Sequence, residues 1–337
     1  LQPLLVRPSG TGFEVGAGQR RLNACRIIAE ENGVDPLPCL IMEAGDEASA
    51  IEASLAENIE RLPMDEIDQY KAFAALIKQG RSAALLLRDN ARLEDYRRAR
   101  GILATLGGSA ELLPLPAQSC EEDGAPIDHL LLTTKAPDSL KALSRIDRRL
   151  SRGATVVLLQ NGLGVREELL ERRPDLHCYQ AVTTEGAYRP APFQVVHAGR
   201  GQTLLGGGPN ADALANSLSV GPLDVSATED IDAALWRKLA VNCAINPLTA
   251  LYRCRNGELL DNPLALQQLH QVIDEILELG EYMGQPARFN GLREQVLAVV
   301  RGTALNRSSM LQDIENGRPS EIDYITGYLC RYASDVG

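Results

Sequence analysis

Apolar and polar residues follow three different spacings along the chain, and the changes fall near positions 80 and 215. Over residues 1–80, short apolar runs such as LLV, FEV and CLIM separate acid-rich stretches of helical spacing, which predicts a small α+β segment. Over residues 81–215, runs such as LLL, HLLL and TVVLL alternate with helical stretches, as in a parallel sheet that is buried on both faces. Over residues 216–337, apolar residues recur every three or four positions, which predicts a helical domain.

One predicted helix carries a polar stripe on an otherwise apolar surface. The helix over 233–252 consists mostly of Leu, Ala, Val, Ile and Cys, but it contains Lys238, Asn242 and Asn246 at intervals of four. Residues at i, i+4 and i+8 lie on one face of a helix and drift by only about 80° over two turns. A buried ammonium without a partner is costly, so this stripe faces either solvent or a polar cleft. The spacing alone leaves both alternatives open.

Two further polar clusters stand out along the chain. The turn over 160–164, Gln-Asn-Gly-Leu-Gly, follows an apolar strand, and ligands of open α/β sheets collect at the carboxyl ends of strands. Downstream, Ser309 lies in a polar cluster and Glu321 follows twelve residues later. Such turns are also common simply as turns, and a single glutamate is usually just solvated. Neither cluster identifies a function by itself.

Composition and charge exclude several classes of protein. The formal net charge is −11, whereas a broad nucleic-acid surface draws on Lys and Arg. The sequence contains no apolar run of membrane-spanning length and no secretory signal at its start, so we expect a cytoplasmic protein. The seven cysteines form no CxxC pair and the four histidines are scattered, so we assign neither a disulfide framework nor a metal site.

Six blocks of the sequence resemble the ketopantoate reductase family, and they occur in the family's order. The blocks are LLLRDNARLEDY (85–96), LLLTTKA (130–136), LLQNGLG (158–164), WRKLAVNCAINPLTALYRCRNGEL (236–259), RSSMLQD (307–313) and SEIDYITGYL (320–329). The resemblance covers about three quarters of the chain. It implies a Rossmann-type NADPH-binding domain over 81–215 and a helical substrate domain over 216–337. It also implies an oxidoreductase that uses NADPH to reduce 2-dehydropantoate to (R)-pantoate in pantothenate biosynthesis.

The resemblance assigns a role to each residue of the polar stripe and to two residues further along the chain, Ser309 and Glu321. Lys238 matches the family's catalytic lysine, which protonates the carbonyl oxygen as hydride reaches the adjacent carbon. Glu321 matches the acidic residue that helps to bind substrate and to organise that proton transfer. Asn242, Asn246 and Ser309 match groups that hold the substrate's carboxylate and hydroxyl. The chemistry agrees, because hydride addition builds negative charge on oxygen and a fixed cation with a proton lowers that barrier.

Three more residues match the family's contacts to NADPH. Arg88, at the end of the LLLRD strand, matches the basic residue that meets the 2′-phosphate, and an arginine after the second strand commonly selects NADPH over NADH. Asn161 matches an asparagine near the nicotinamide. Lys135 matches a lysine that faces the same cleft.

The chain departs from the family before the first matching block. The family begins with a strand and a GxGxxG loop whose backbone amides hold the pyrophosphate, and this unit is missing in front of residue 81. Gly16-Ala17-Gly18 is a decoy, because the third glycine position is Arg21 and about 65 residues separate it from the next family strand. We therefore expect an incomplete Rossmann-type sheet with two exposed strand edges. A strand from residues 1–80 that fills the gap beside 83–88 is a further hypothesis.

Residues 1–80 resemble the N-terminal domain of ParB-type partition proteins. Gly18-Gln19-Arg20-Arg21 is similar to that family's GERR motif, and Glu57-Asn58-Ile59-Glu60-Arg61 is similar to its ENxxR motif. The resemblance implies that CTP binds at Arg20, Arg21, Glu57, Asn58 and Arg61. The segment holds 7 Lys and Arg against 13 Asp and Glu, so DNA is not an expected partner.

The two resemblances predict that two truncated pieces are joined near Gly80. The join could be a natural fusion, a genomic rearrangement or an artificial one. A CTP-binding regulatory fusion and an inactive fusion product are therefore the alternatives to a working reductase.

Overall fold

A computed structural model describes residues 83–199, 201–219 and 224–336, together with three N-terminal strands. The chain forms two compact units, Leu1–Arg61 and Leu62–Gly337. In the first unit, β1 (Leu4–Ser9) pairs antiparallel with β2 (Gly12–Ala17) and parallel with β3 (Cys39–Ile41). Gly16 and Ala17, the start of the GxG decoy, therefore lie in a strand that is antiparallel to its described partner β1. The strand of a dinucleotide-binding βαβ unit is instead parallel to its partner. The predicted helices of this unit lie outside the described residues.

The second unit contains the regions for which the sequence predicts an α/β sheet and a helical domain. Its strands are β4 (Leu85–Leu87), β5 (Ile102–Leu106), β6 (Ser109–Leu113), β7 (Ala117–Ser119), β8 (Ile127–Leu132), β9 (Leu150–Leu158), β10 (His177–Thr183), β11 (Gly186–Tyr188), β12 (Gln194–Gly199), β13 (Thr203–Gly206) and β14 (Val225–Ala227). Its described α-helices are α1 (Asn90–Ala99), α2 (Ala136–Ile146), α3 (Val165–Arg172), α4 (Ala211–Leu218), α5 (Ile231–Tyr252), α6 (Glu258–Asp261), α7 (Pro263–Tyr282), α8 (Leu292–Gly302), α9 (Ser309–Glu315) and α10 (Thr326–Val336).

A five-stranded sheet in the order β14-β13-β10-β9-β8 forms the centre of this unit. Strands β8, β9 and β10 are parallel, as their continuous apolar runs predict, and helices α2 and α3 connect them. Strand β13 is antiparallel to β10 and parallel to β14, so the sheet is mixed at its far side. A second sheet of four strands has the order β11-β12-β5-β6. The predicted Rossmann-type architecture is confirmed.

Within the described part of the chain, β4 and β8 belong to different sheets. Among the described strands, β4 pairs only with β7 and β8 pairs only with β9, so each presents one edge without a described partner. The hypothesis that an N-terminal strand fills this gap fails for the described strands β1 to β3, because they pair with one another in a separate sheet. Two arginines between β8 and β9 contact the β4–β7 pair: Arg145 of α2 donates to the Arg88 carbonyl oxygen at 2.7 Å, and Arg149 donates to Gln118 Oε1 at 2.8 Å.

The helical core is built around α5. Its apolar side chains pack with fully buried residues of α7 and α8, which include Leu269, Ile273, Val296 and Val300. Each such side chain contributes roughly 1.5–3 kcal/mol by leaving water. Pro247 does not end α5, although it removes one backbone donor from the helical ladder. None of the described helices has both the length and the apolar character needed to cross a membrane.

Candidate functional site

Four of the predicted site residues, Lys135, Asn161, Lys238 and Glu321, lie near the carboxyl edge of the parallel strands. Leu132 of β8 lies opposite Leu158 of β9, which lies opposite Gln180 of β10. Adjacent strands are about 4.8 Å apart, so the segments that follow these three strands lie within roughly 10 Å along the sheet. Polar groups of the helical domain contact this same edge, so the arrangement has the layout of a ligand site in an open α/β sheet.

Lys238 joins the polar stripe of α5 to the end of β10. Its Nζ donates to the carbonyl oxygen of Thr183 at 2.9 Å, and its side chain is half-buried. Thr183 is the last residue of β10 and is itself buried. The hydrogen bond fixes the ammonium at the sheet edge, so the stripe faces a polar region of the protein. This resolves the two alternatives that the spacing leaves open.

Asn242 and Asn246 continue the stripe toward α9. Asn242 is half-buried and Asn246 is 9% exposed. The Asn246 carbonyl oxygen accepts a hydrogen bond from Thr249 Oγ1 at 2.8 Å, and the Thr249 and Ser308 hydroxyl oxygens are 2.6 Å apart. Ser308 caps α9 by accepting from the backbone N–H of Leu311. The following residue, Ser309, is thereby placed in the first turn of α9, beside the end of the stripe.

Glu321 lies at the same edge of the sheet, beside β8. Its Oε1 accepts a hydrogen bond from the Ala136 backbone N–H at 2.9 Å, and the residue is only 4% exposed. Ala136 begins α2, and the partial positive charge of a helix N-terminus favours a carboxylate there. Because β8 and β10 flank β9, the strands that precede the anchoring points of Glu321 and Lys238 are two strand spacings apart, or roughly 10 Å. Both residues therefore reach the same edge.

Lys135 forms a buried ion pair with Asp313 of α9. Its Nζ is 2.7 Å from each carboxylate oxygen, and the side chains are 17% and 1% exposed. Arg318 Nε lies 3.3 Å from Asp313 Oδ1. The lysine follows β8, so this ion pair, like the Glu321 hydrogen bond, connects the sheet to the helical domain.

The loop after β9 packs tightly against the helical domain. Leu163 N–H donates to the Tyr324 carbonyl oxygen at 2.9 Å, and a Cβ added to Gly162 would lie 2.3 Å from that oxygen. Gly162 has a φ of +85°, a backbone conformation that favours glycine. Asn161 is half-buried in this loop, so its position at the sheet edge is fixed by its neighbours.

Arg88 lies at the carboxyl end of β4, apart from the residues above. Its side chain is 76% exposed and its Nε is 2.8 Å from Asp89 Oδ2. Asp89 also accepts from the Arg92 backbone N–H, which lowers the pKa of the Asp89 carboxyl, and it caps α1. The guanidinium is accessible to an anion in solution. The five residues of the predicted CTP site lie outside the described residues.

The structure adds residues that the sequence does not assign to the site. Asp313 holds Lys135, and Thr183 holds Lys238. The TTEG turn after an apolar strand carries the same signal as the loop after β9, namely polar residues at the carboxyl end of a strand. Asp313 occurs within the RSSMLQD block, but its partner cannot be read from the sequence, because Lys135 lies 178 positions away.

A cavity of about 200 Å³ lies away from these residues. Its lining comes from the end of α2, the start of β9 and the end of α3, and comprises Leu140, Leu143, Ser144, Asp147, Leu150, Leu169, Arg172 and Arg173. These positions lie toward the amino end of β9, opposite the edge that carries Lys238. The contacts at the carboxyl edge therefore define the candidate site, and the cavity does not.

Comparisons with known proteins match the chain to one family. A model described as "Ketopantoate reductase PanE/ApbA" matches residues 71–210, and one for the C terminal of the same family matches residues 230–337. The 2-dehydropantoate 2-reductase of Vibrio cholerae is 37% identical over 214 residues, which cover 62% of this chain and 72% of that protein. The enzyme of Yersinia pestis is 39% identical over 215 residues, which cover 62% of this chain and 68% of that protein.

A solved structure shows the same fold. The crystal structure of a probable 2-dehydropantoate 2-reductase from Bacillus subtilis matches with a TM-score of 0.63 and 27% identity, covering 77% of this chain and 88% of that one.

Proposed function

Because the chain belongs to the ketopantoate reductase family, we propose that it reduces 2-dehydropantoate to (R)-pantoate with hydride from NADPH. The observation that carries the proposal is the Lys238 ammonium, which is held at 2.9 Å by the Thr183 carbonyl oxygen at the carboxyl edge of the sheet. Two carboxamides continue the same stripe on α5. This is the arrangement that reduction of a ketone requires, namely a fixed proton donor with polar groups beside it to hold the substrate.

Lys238 acts as the general acid in this proposal. Hydride addition to the ketone carbon places negative charge on its oxygen, and the ammonium stabilises that charge and then transfers its proton. The hydrogen bond to Thr183 orients the amine before substrate binds, so little reorganisation is needed during the reaction. Glu321 assists from its position at the start of α2.

Asn242, Asn246 and Ser309 hold the substrate in this proposal. Carboxamide and hydroxyl groups donate to a carboxylate and also accept from a hydroxyl, which are the polar groups of 2-dehydropantoate besides its ketone. The network from Asn246 through Thr249 and Ser308 supports this role, because it fixes α9 relative to α5. The order of residues along the stripe supports a substrate position next to the lysine.

Arg88, Lys135 and Asn161 contact NADPH in this proposal. The exposed Arg88 guanidinium fits the 2′-phosphate, since a planar fork bonds phosphate oxygens in pairs. Asn161, in the loop after β9, and Lys135, after β8, fit the nicotinamide end at the sheet edge. When bound, NADPH supplies the hydride. The Asp313 carboxylate pairs with Lys135 and so partly offsets the positive charge that this lysine offers to the cofactor.

Loss of the lysine tests the proposal directly. Purified protein should oxidise NADPH when 2-dehydropantoate is added, as followed by the decline of nicotinamide absorbance. Lys238→Ala should lower kcat by about 10²- to 10⁴-fold, the range of general acid catalysis. Arg237→Ala is the matched control, because Arg237 is the exposed neighbour on the same helix. Absence of turnover by the unaltered protein at saturating substrate and cofactor would refute the assignment.

The CTP-binding alternative stays a prediction from the resemblance of residues 1–80 to ParB-type proteins. Titration calorimetry with CTP and magnesium tests it, and a trace without heat would exclude it. A protein that gives neither turnover nor binding heat would match the second alternative, an inactive fusion.

A further inference from the structure

The turn that holds Lys238 is itself held by a buried acid–imidazole pair. Glu185 follows Thr183 by two residues, and its carboxylate Oε2 lies 2.9 Å from His197 Nε2. The side chains of Glu185 and His197 are only 2% and 11% exposed. A buried carboxylate needs a hydrogen-bond donor, and an ionised Glu185 requires that the Nε2 atom carries the proton.

Several hydrogen bonds hold the turn between Thr183 and Glu185 in place. The Glu185 backbone N–H donates to Thr183 Oγ1 at 3.1 Å, and Thr203 Oγ1 lies 2.9 Å from the same oxygen. On the other side of the turn, Thr184 N–H donates to the Gln202 carbonyl oxygen at 3.0 Å. The turn therefore has little freedom to rotate while these bonds are intact.

Close packing excludes other positions of the turn. A Cβ added to Gly201 would lie 2.3 Å from the Thr184 carbonyl carbon and 2.4 Å from the Glu185 nitrogen. The backbone of 201–203 thus fixes one side of the turn, and His197, from β12, fixes the other through the Glu185 side chain. The Thr183 carbonyl belongs to the peptide unit whose N–H donates to Gln202, so the backbone of 201–203 fixes it from one side. Loss of the Glu185–His197 contact would release the residues that directly follow this peptide unit.

We propose that Glu185 and His197 are positioning residues for the general acid Lys238. The pair ties the residue after Thr184 to β12 and so limits movement of the turn that carries the Thr183 carbonyl, and this carbonyl holds the amine. The inference rests on the proposed reductase function, since it assigns a role within that reaction. Neither residue needs to touch substrate or cofactor.

The test separates positioning from folding by using two readouts. The variants are Glu185→Ala, which removes the acceptor, and Glu185→Gln, which keeps an amide oxygen as acceptor for Nε2–H. Glu171→Gln and His177→Gln are the matched controls, because both residues are exposed. The first readout is kcat, KM and the primary isotope effect with NADPH deuterated at the transferred position. The second is the 13C NMR signal of the Lys238 Cε in lysine-labelled protein, which has only five lysines.

Glu185→Ala should lower kcat by about 10- to 100-fold, because a misplacement of about 1 Å can cost a hundredfold. KM for both substrates should change by less than the drop in kcat, the isotope effect should rise, and the Lys238 signal, assigned with Lys238→Arg, should shift. Glu185→Gln should recover most of the activity. If Glu185→Ala does not fold, His197→Gln takes its place and Glu185→Gln remains the reference. A shifted Lys238 signal and a raised isotope effect in His197→Gln support the proposal, and values equal to those of the unaltered protein contradict it.

An unchanged Lys238 signal and isotope effect in Glu185→Ala would overturn the proposal, even if total activity fell, because that loss would then reflect less folded enzyme. Absence of turnover in the unaltered protein would refute the reductase assignment alone. In that case the NMR comparison would still show whether Glu185 positions the lysine.

Discussion

The Lys135–Asp313 ion pair offers a direct measure of what holds the sheet and the helical domain together. Asp313 is 1% exposed and Lys135 is 17% exposed, so replacement of Lys135 by methionine leaves a buried carboxylate with Arg318 as its partner at 3.3 Å. Breaking a buried ion pair by removing one partner costs 3–5 kcal/mol. Because Arg318 remains, we expect the low end of that range, or about 3 kcal/mol, for Lys135→Met.

Removal of both charges should cost less than removal of the lysine alone. A neutral pair of similar volume is often as stable as the buried ion pair that it replaces. In Lys135→Met/Asp313→Asn, no uncompensated carboxylate remains at this position. We therefore expect the double variant to recover at least about 1 kcal/mol relative to Lys135→Met.

Urea-induced unfolding measures these differences through one reporter. The chain has a single tryptophan, Trp236, which is 6% exposed in the helical core, so its fluorescence follows that domain. Lys141→Met is the matched control, since Lys141 is exposed on the same helix that Lys135 precedes. The single variant Asp313→Asn completes the cycle. The reasoning is refuted if the effects of Lys135→Met and Asp313→Asn add in the double variant, because additivity means that the charges do not interact.

Two further predictions concern other parts of the second unit. Gly162→Ala should destabilise the protein and lower turnover more than Gly107→Ala does. Both glycines have positive φ, but only the Cβ at 162 would meet a backbone atom, at 2.3 Å. Urea unfolding and kcat measure the two effects, and equal effects would contradict the prediction. The hydrogen bond from Arg173 lowers the pKa of Asp175 to about 2, so its contribution to stability is present above pH ~4 and is lost as pH falls through about 2. The difference in Tm between Arg173→Met and the unaltered protein should therefore shrink between these values, whereas a constant difference would contradict the assignment.

Local elements of this fold follow from the sequence with small errors at their ends. The helix predicted over 233–252 is observed as Ile231–Tyr252, because its apolar spacing satisfies both the helical period and the packing against α7. The continuous apolar runs likewise predict the parallel strands β8, β9 and β10. The antiparallel direction of β13 does not follow from its residues, since a short buried strand has the same composition in either direction.

The parts of the candidate site that the sequence does not predict depend on contacts between residues far apart in the chain. Lys135 and Asp313 are 178 positions apart, and Ala136 and Glu321 are 185 positions apart. The spacing of Lys238, Asn242 and Asn246 predicts that they share a face, but it cannot say whether that face meets solvent or the sheet. Only the tertiary arrangement shows that the Lys238 amine meets Thr183.

The contacts that build the candidate site are the same ones that join the sheet to the helical domain. Lys238 to Thr183, Glu321 to Ala136, Asp313 to Lys135 and Tyr324 to Leu163 each pair a group of the helical domain with a group at the carboxyl edge of the sheet. A shift of one layer against the other would change all four together, because each is short and directional. Substitutions at these contacts should therefore change stability and kcat in parallel. Substitutions deep in the helical core, such as Ile273→Val, should lower stability with little effect on kcat, because they leave these contacts in place.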